Sequence, residues 1–127
     1  MRVAVLLVCS LLFTTPSFGG AMNGNEFLAI CKGEPGNRPL TCKFFVAGVI
    51  QALWVGAMRG AALATGETPT IKKIDEYVGF CQPEGVSTSQ ALEIAYKFMQ
   101  EHPENLHFPV SAIIRDALAR SFPCSSS

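Results

Sequence analysis

The sequence predicts an all-α protein, a small bundle of about four to five helices stapled by two disulfides. Three observations favour this fold class. Residues that start and stop helices recur along the chain, no segment shows the period-two alternation of half-buried strands, and four cysteines follow an export signal. The 127 residues have the length of one domain. No linker indicates a second domain.

The first twenty or so residues are typical of a cleavable secretory signal peptide. Arg2 provides the positive start, residues 3–13 form an apolar run too short to span a bilayer, and small residues follow. We expect cleavage after Gly19 or Ala21, which leaves residues 22–127 as one exported domain. Its acidic and basic residues nearly balance, which argues against nucleic acid or an anionic membrane as a partner.

Four cysteines remain after the signal peptide: Cys31, Cys42, Cys81 and Cys124. An even number in an exported chain favours disulfides over free thiols. Three connectivities are possible. We favour Cys31–Cys42 with Cys81–Cys124, because the Gly-Glu-Pro-Gly stretch at residues 33–36 lets the chain double back between the first two. No pair has the spacing of a structural zinc site, so we predict neither a metal nor a cofactor.

The first helix is predicted from its caps. Asn23 or Asn25 can act as N-cap, and Gly33 can end the helix. One apolar stripe would then contain Phe27, Ile30 and Cys31.

The second and longest helix is predicted from Pro39 to about Ala64, with Gly66 as its terminator. Small residues recur along it at every fourth position: Gly48, Ala52, Gly56, Gly60 and Ala64. Such a ridge allows another helix to pack closely. The apolar run from residue 44 to 58 falls short of a membrane span, so we interpret the ridge as close packing inside a soluble domain. Trp54 is expected in the core or at a helix contact.

Three shorter helices follow. Residues 71–80 fit an amphipathic helix that ends at Gly79, with Ile71, Ile74, Tyr77 and Val78 on its apolar side and Lys72, Lys73, Asp75 and Glu76 on its solvated side. Ser87 opens the next helix with capping-box spacing, and that helix runs to about Glu101. The last begins near Pro109. Their predicted buried faces are Leu92, Ala95, Tyr96 and Met99 in one, and Val110, Ile113, Ile114, Ala117 and Leu118 in the other.

The sequence offers no catalytic centre, and we predict that the protein is not an enzyme. His102 and His107 lie close to Glu101 and Glu104, but their spacing of five diverges on a helix and Pro103 breaks the helix between them. We interpret His102 as a residue of the last helical turn that bonds free carbonyls, and His107 as a loop residue. No nucleophile elbow or phosphate-binding loop is present.

Several motifs occur in one order along the second half of the chain: Phe80-Cys81-Gln82-Pro83, Val86-Ser87-Thr88-Ser89-Gln90, His102-Pro103-Glu104-Asn105-Leu106-His107, Ala117-Leu118 and Phe122-Pro123-Cys124. Upstream, Cys31 ends the first helix and Cys42 opens a helix that contains glycine. Together these motifs resemble the Rap/Tai family of periplasmic immunity proteins, which protect bacteria from type VI secreted peptidoglycan amidases. The chain departs from typical members at Phe44-Phe45, where they have Gly-Tyr, and near Gln51, where they have an acidic residue.

The resemblance implies a helical domain, often a homodimer, that binds an amidase effector in the periplasm and occludes its active site. A rigid loop loses little entropy on binding. Our first candidate for that loop is residues 101–108, with Glu101, His102, Glu104, Asn105 and His107 as partner-binding residues. Our second candidate is Glu67 to Lys73, where the family pattern lapses.

Two other classes of function remain open at this level. A periplasmic chaperone or stress-related binding module would bind many clients weakly, whereas an immunity protein binds one partner tightly. A small hydrolytic enzyme would need a convergent set of polar residues that the sequence does not show. An amidase-like reading frame next to this one would favour immunity.

Overall fold

The computed structural model describes residues 20–125, so the predicted signal peptide lies almost entirely outside the described residues. Within them the elements are α1 (Gly24–Ile30), α2 (Leu40–Thr65), α3 (Ile71–Val78), α4 (Thr88–Glu101), a 3-10 turn (Pro103–Asn105) and α5 (Val110–Ser121). The only extended pairing in this range is an isolated bridge between Asn23 and Pro109. The predicted all-α class is confirmed.

Local signals set the helix ends close to their predicted positions. Asn23 and Glu26 form a reciprocal capping box at the start of α1. The Ser87 side chain accepts a hydrogen bond from the third amide of α4. Gly66 and Gly79 end α2 and α3 with φ angles of 75° and 95°. These angles lie in the left-handed region, where a residue with a Cβ atom is strained.

Two disulfides join the ends of the helices. Cys31–Cys42 links the end of α1 to the first turn of α2, and Cys81–Cys124 links the segment after α3 to the tail beyond α5. This is the connectivity that the sequence favours. The loop-entropy model gives these bridges stabilisations of about 3 and 4 kcal/mol, a large share of the net stability of a small domain.

The core lies between α4, α5 and the first half of α2. The predicted buried faces of α4 and α5 are confirmed, because all nine of their named residues are buried. Phe27 of α1 and Val46 of α2 complete this core at exposures of 1% and 0%. The structure also buries Phe98, which the predicted face of α4 leaves out.

The two short helices bury less than their patterns predict. Ile30, Ile71 and Tyr77 were expected on apolar stripes, but they are 54%, 68% and 54% exposed. A helix of two turns buries only one or two side chains in the core. The other apolar residues of its predicted stripe therefore stay exposed. Asp75, expected on the solvated side of α3, instead accepts a hydrogen bond from the Trp54 indole at 3.1 Å.

The prediction that another helix packs on the small-residue ridge of α2 is wrong for residues 20–125. Every member of the ridge is exposed, and a Cβ atom added at Gly48, Gly56 or Gly60 would meet no atom within 4 Å. The other helices pack on the opposite face, where Cys42 and Val46 are buried. By length and composition α2 could cross a membrane, and only 11% of its apolar window is buried.

Arg38 connects the first disulfide loop to α4. It is 8% exposed and forms a fork with the Glu93 carboxylate, at 2.9 Å through Nη2 and 3.0 Å through Nε. Its Nη1 donates to the carbonyls of Cys31 and Gly33 at 3.1 and 3.0 Å. The guanidinium carbon lies 3.4 Å from the centre of the Tyr96 ring. The guanidinium thus holds together two loop carbonyls and one face of α4.

Residues 22–24 run across the segment between α4 and α5, and we call them the strap. The Val110 amide donates to the Met22 carbonyl at 2.8 Å, and the Gly24 amide donates to the Leu106 carbonyl at 2.9 Å. A Cβ atom at Gly24 would lie 2.8 Å from side-chain atoms of both Ile113 and Leu106. Glycine at this position therefore allows the strap to approach the segment closely.

We expect Arg38→Ala to lower the free energy of unfolding by about 2–3 kcal/mol, because it leaves two carbonyls and part of a carboxylate without their donor. Denaturant titration measures this change. The matched control is Lys97→Ala. It removes an exposed ion pair between Lys97 and Glu101, both in α4, at 3.7 Å. The control should change stability by no more than about 0.5 kcal/mol. Equal effects of the two substitutions would contradict the role given to Arg38.

The Arg38–Glu93 pair should also make stability depend on pH. Partial burial raises the pKa of Glu93, but hydrogen bonds from Arg38 and the Gly36 amide, with the charges of Arg38 and Lys43, outweigh it and bring the pKa below its ordinary value of 4.5. The ionised carboxylate therefore stabilises the fold above that value, and this contribution is lost as the pH falls through the lowered pKa. Glu93→Gln should flatten the fall in unfolding free energy below about pH 5, as measured by urea titration at several pH values.

The strap gives a third prediction. Gly24→Ala should lower the free energy of unfolding by about 1–3 kcal/mol, because the added methyl group overlaps packed side chains. Amide hydrogen exchange at residues 104–108 should become faster. Gly60→Ala is the control, since it lies in open space inside a helix and should raise stability by about 0.5–1 kcal/mol. A neutral Gly24→Ala would show that the close approach of the strap contributes little.

Candidate functional site

The segment that joins α4 to α5, residues 101–108, is a preformed turn, and we call it the α4–α5 loop. Hydrogen bonds run inside it from the Asn105 amide to the His102 carbonyl and from the Phe108 amide to the Asn105 carbonyl, both at 3.0 Å. The strap adds a bond to the Leu106 carbonyl. Because both ends continue into helices and the middle is hydrogen-bonded, little backbone freedom remains to be lost on binding.

His102 and Glu104, two of the five predicted site residues, lie together at the start of the loop. The Nδ1 atom of His102 is 3.0 Å from Oε1 of Glu104. The imidazole also rests on the ring of Phe98, one turn earlier in α4, with 4.3 Å between the ring centres. His102 was expected to bond the carbonyls at the helix end, whereas its ring instead positions a carboxylate.

Glu104 is one of two acidic residues that the loop exposes to solvent, the other being Glu101. Hydrogen bonds from the backbone amide of Glu104 and from His102 lower the pKa of the Glu104 carboxyl, and the charges of His102 and Arg120 act in the same direction. Its side chain remains 65% exposed. Glu104 is therefore ionised and accessible at neutral pH, as a residue that receives a cationic group from a partner must be.

Asn105 is half-buried and points into a different part of the surface. It lines a small cavity of about 190 Å³ together with Phe98, Phe108 and residues of α5 that include Asp116. The cavity has aromatic walls and polar groups at its edge. It can accept one apolar side chain of a partner while the amide of Asn105 hydrogen-bonds to a polar group of the partner beside it.

The other two predicted residues, Glu101 and His107, are exposed at opposite ends of the loop. Glu101 lies 3.7 Å from Lys97 in an exposed ion pair. His107 contacts the ring of Phe108, with 4.0 Å between the ring centres. The structure therefore brings His102 and Glu104 into contact and distributes the remaining three residues around them.

A groove of about 420 Å³ adjoins the loop on the side of α4. Lys97, Glu101, His102 and Arg120 line it, so both signs of charge are present along its walls. Arg120 lies over the Phe98 ring, 5.2 Å from the ring centre. This mixture suits a polar protein segment better than nucleic acid or a lipid head group, which call for a surface of one sign.

The second candidate, Glu67 to Lys73, forms the tip between α2 and α3. Thr70 caps α3 by accepting a hydrogen bond from the Lys73 amide, and Lys73 pairs with Glu76 at 3.4 Å in an exposed position. A shallow groove of about 340 Å³ borders this tip. The tip is exposed and rigidly capped, but it lies on a different element from the α4–α5 loop.

The described residues form surfaces for binding and no assembled catalytic set. The four cysteines of residues 20–125 are all in disulfides, so no free thiol lies beside His102 and Glu104. In the same range no three His, Cys, Asp or Glu side chains are grouped so that they could hold a metal ion. These surfaces can bind a partner through hydrogen bonds, through charged groups and through one cavity with aromatic walls.

Sequence reasoning missed two residues that fix the position of α4 and of the groups at its end, Phe98 and Arg38. Phe98 lies between the cavity and the groove and supports both His102 and Arg120. The position of Phe98 four residues before His102 could have indicated the stacking. Arg38 pairs with a residue 55 positions away, and a contact of that separation has no local signal.

Comparison with known proteins gives one match. The model of the family described as Rap1a immunity proteins matches residues 23–124. Searches of curated proteins and of solved structures give no match. The matched range begins at the N-cap of α1, includes every helix and both disulfides of the described residues, and ends at Cys124. Because the match covers most of the chain, the protein belongs to the Rap1a immunity protein family.

Proposed function

We propose that this protein is a periplasmic immunity protein that binds a type VI secreted peptidoglycan amidase and occludes its active site. The α4–α5 loop enters the active-site cleft, and the protein acts as a homodimer without catalytic activity of its own. A signal peptide cleaved after Gly19 or Ala21 delivers it to the periplasm. Family membership is the observation that carries this proposal.

The family and the disulfides support the coarser parts of this function. An immunity protein has an effector protein as its partner, and members of such families are generally not enzymes. Two disulfides indicate an oxidising compartment, so the protein is extracellular or periplasmic. A peptidoglycan amidase acts in the same compartment, which is where an inhibitor has to meet it.

The geometry of the α4–α5 loop supports its role as the inhibiting element. It combines an ionised carboxylate, a cavity for one apolar side chain and a mixed-charge groove within one short segment. Its backbone is held by the strap and by its own hydrogen bonds. An inhibitor that is already in its bound shape loses little entropy, so its contacts count more fully toward affinity.

The test uses a type VI secreted peptidoglycan amidase, taken from the neighbouring reading frame where that frame encodes one, and measures inhibition of peptidoglycan-fragment hydrolysis. Alanine substitutions at Glu101, Glu104, Asn105 and His107 combined should weaken inhibition by at least about tenfold, because hot-spot residues contribute more than 1 kcal/mol each. Glu34→Ala combined with Lys32→Ala is the matched control. Both control residues are exposed in the first disulfide loop, and inhibition should not change.

Two results would decide against parts of the proposal. Unchanged inhibition by the loop variant, with loss of inhibition on substituting Glu67 and Lys73, would move the contact to the tip between α2 and α3. Weak binding to many unrelated proteins, with no inhibition of the amidase, would favour a periplasmic binding module instead.

A further inference from the structure

The two disulfides differ in how far solvent reaches them. Cys31 and Cys42 are 1% and 2% exposed, whereas Cys81 and Cys124 are only half-buried. A disulfide is reduced when a thiolate reaches one of its sulfur atoms, so the rate of reduction depends on access. A dithiol in solution can therefore reach the second bridge of the folded protein but not the first.

We propose that Cys81–Cys124 is a site of thiol–disulfide exchange with a protein dithiol of the compartment to which the chain is exported, while Cys31–Cys42 stays closed. The proposal needs a dithiol in that compartment. It does not depend on the binding of an amidase by the α4–α5 loop.

The surroundings of the first bridge protect it further. A cavity of about 120 Å³ borders both of its cysteines, but the side chains around it are mostly apolar and include Phe27, Ile30 and Phe45. An ionised thiolate would lose its hydration on entering such a cavity, which is unfavourable for a charged group. Attack on Cys31–Cys42 through this opening is therefore slow.

The tail beyond α5 is held by few bonds apart from the second bridge. The Phe122 amide donates to the Leu118 carbonyl at 2.8 Å, and the Cys81 amide donates to the Phe122 carbonyl at 2.9 Å. Pro123 has no amide hydrogen to donate, and within the described part of the chain residues 123–125 form no backbone hydrogen bond. The tail can therefore turn outwards and present its cysteine while the core stays closed.

The exchange begins when one thiol of the dithiol loses its proton and attacks Sγ of Cys124. The Sγ–Sγ bond breaks, Cys81 leaves as a thiolate and takes up a proton, and a mixed disulfide joins Cys124 to the dithiol. The second thiol of the dithiol then loses its proton and attacks the sulfur of its own partner cysteine, which releases Cys124 as a thiolate that is protonated in turn. The bridge has gained two electrons and two protons, and the dithiol has lost them and become a disulfide.

Arg115 favours Cys81 as the leaving group. Its Nε atom donates to the Val78 carbonyl at 2.8 Å, and its Nη2 atom lies 2.9 Å from the position of a Cβ atom added at Gly79. The guanidinium is thus held against the chain just before Cys81. A cation beside a cysteine stabilises the thiolate, so the negative charge that develops on Cys81 as the bond breaks is favoured.

Opening this bridge leaves the helices in place. α3 keeps Ile74 and Val78 in the core, and Asp75 keeps its hydrogen bond from the Trp54 indole at 3.1 Å. The contact of Cys124 Sγ with the Asp75 carbonyl is long, at 3.9 Å, and sulfur is a weak donor. The opening is therefore local, as exchange in a folded protein requires.

The first test compares the two bridges in the purified mature protein. Dithiothreitol is added without denaturant, free thiols are blocked with iodoacetamide at intervals, and peptide mass spectrometry identifies the blocked cysteines. Cys81 and Cys124 should become blocked at least about tenfold faster than Cys31 and Cys42, because only their bridge is accessible. The control is the same reaction in guanidinium chloride, where the difference should fall below about threefold, since both bridges are then exposed.

The second test uses thioredoxin whose second active-site cysteine is replaced by serine, so that the mixed disulfide cannot be resolved. This probe should form a single adduct with the protein, through Cys124. The matched control carries both Cys81→Ser and Cys124→Ser. It should form no adduct, and its circular dichroism should show the same helices as the parent protein.

Four results would overturn the proposal. They are similar rates for the two bridges without denaturant, faster opening of Cys31–Cys42, the absence of an adduct with the thioredoxin variant, and loss of the helices in the control that lacks Cys81 and Cys124. An adduct through Cys81 would overturn the order of attack. Amidase inhibition is measured separately on the oxidised protein, and its failure would count against the proposed function alone.

Discussion

The arrangement of the helices depends on the hydrogen bonds and the ion pair of the Arg38 guanidinium. A buried arginine must satisfy five N–H groups, and here the carbonyls of Cys31 and Gly33 and the carboxylate of Glu93 receive most of them. The first two partners belong to the disulfide loop and the third to α4. The start of α2 is therefore fixed against α4 by directional bonds as well as by the less directional packing of the core.

α4 links this constraint to the surface that we propose for effector binding. One side of the helix holds Glu93 and Tyr96 against Arg38, and Leu92 and Met99 lie in the core. Its last turn contains Phe98, which supports His102 and so orients Glu104. The position of the carboxylate is thus determined by a rigid helix and by an aromatic ring beneath it. A loop supported in this way presents its side chains without prior ordering.

α2 shows that one helix can serve two surfaces. Its buried face carries Cys42 and Val46, and its outer face carries residues that would be core residues in a larger protein. Within residues 20–125 no other element covers the outer side of this 26-residue helix.

The sequence by itself determined features that depend on near neighbours: the cap at Ser87, the glycine stops at Gly66 and Gly79, and the buried faces of α4 and α5. It narrowed the first cap to Asn23 or Asn25, and the structure has Asn23. Among three possible connectivities it favoured the observed disulfide pairs, because the turn at residues 33–36 lets the chain double back between Cys31 and Cys42. Only the tertiary structure decided which side of α2 is covered, since small residues favour close packing but do not specify the partner. Only the tertiary structure likewise decided the pairing of Arg38 with Glu93 and the stacking of Phe98 with His102. Contacts between distant or differently oriented side chains depend on how whole helices are placed.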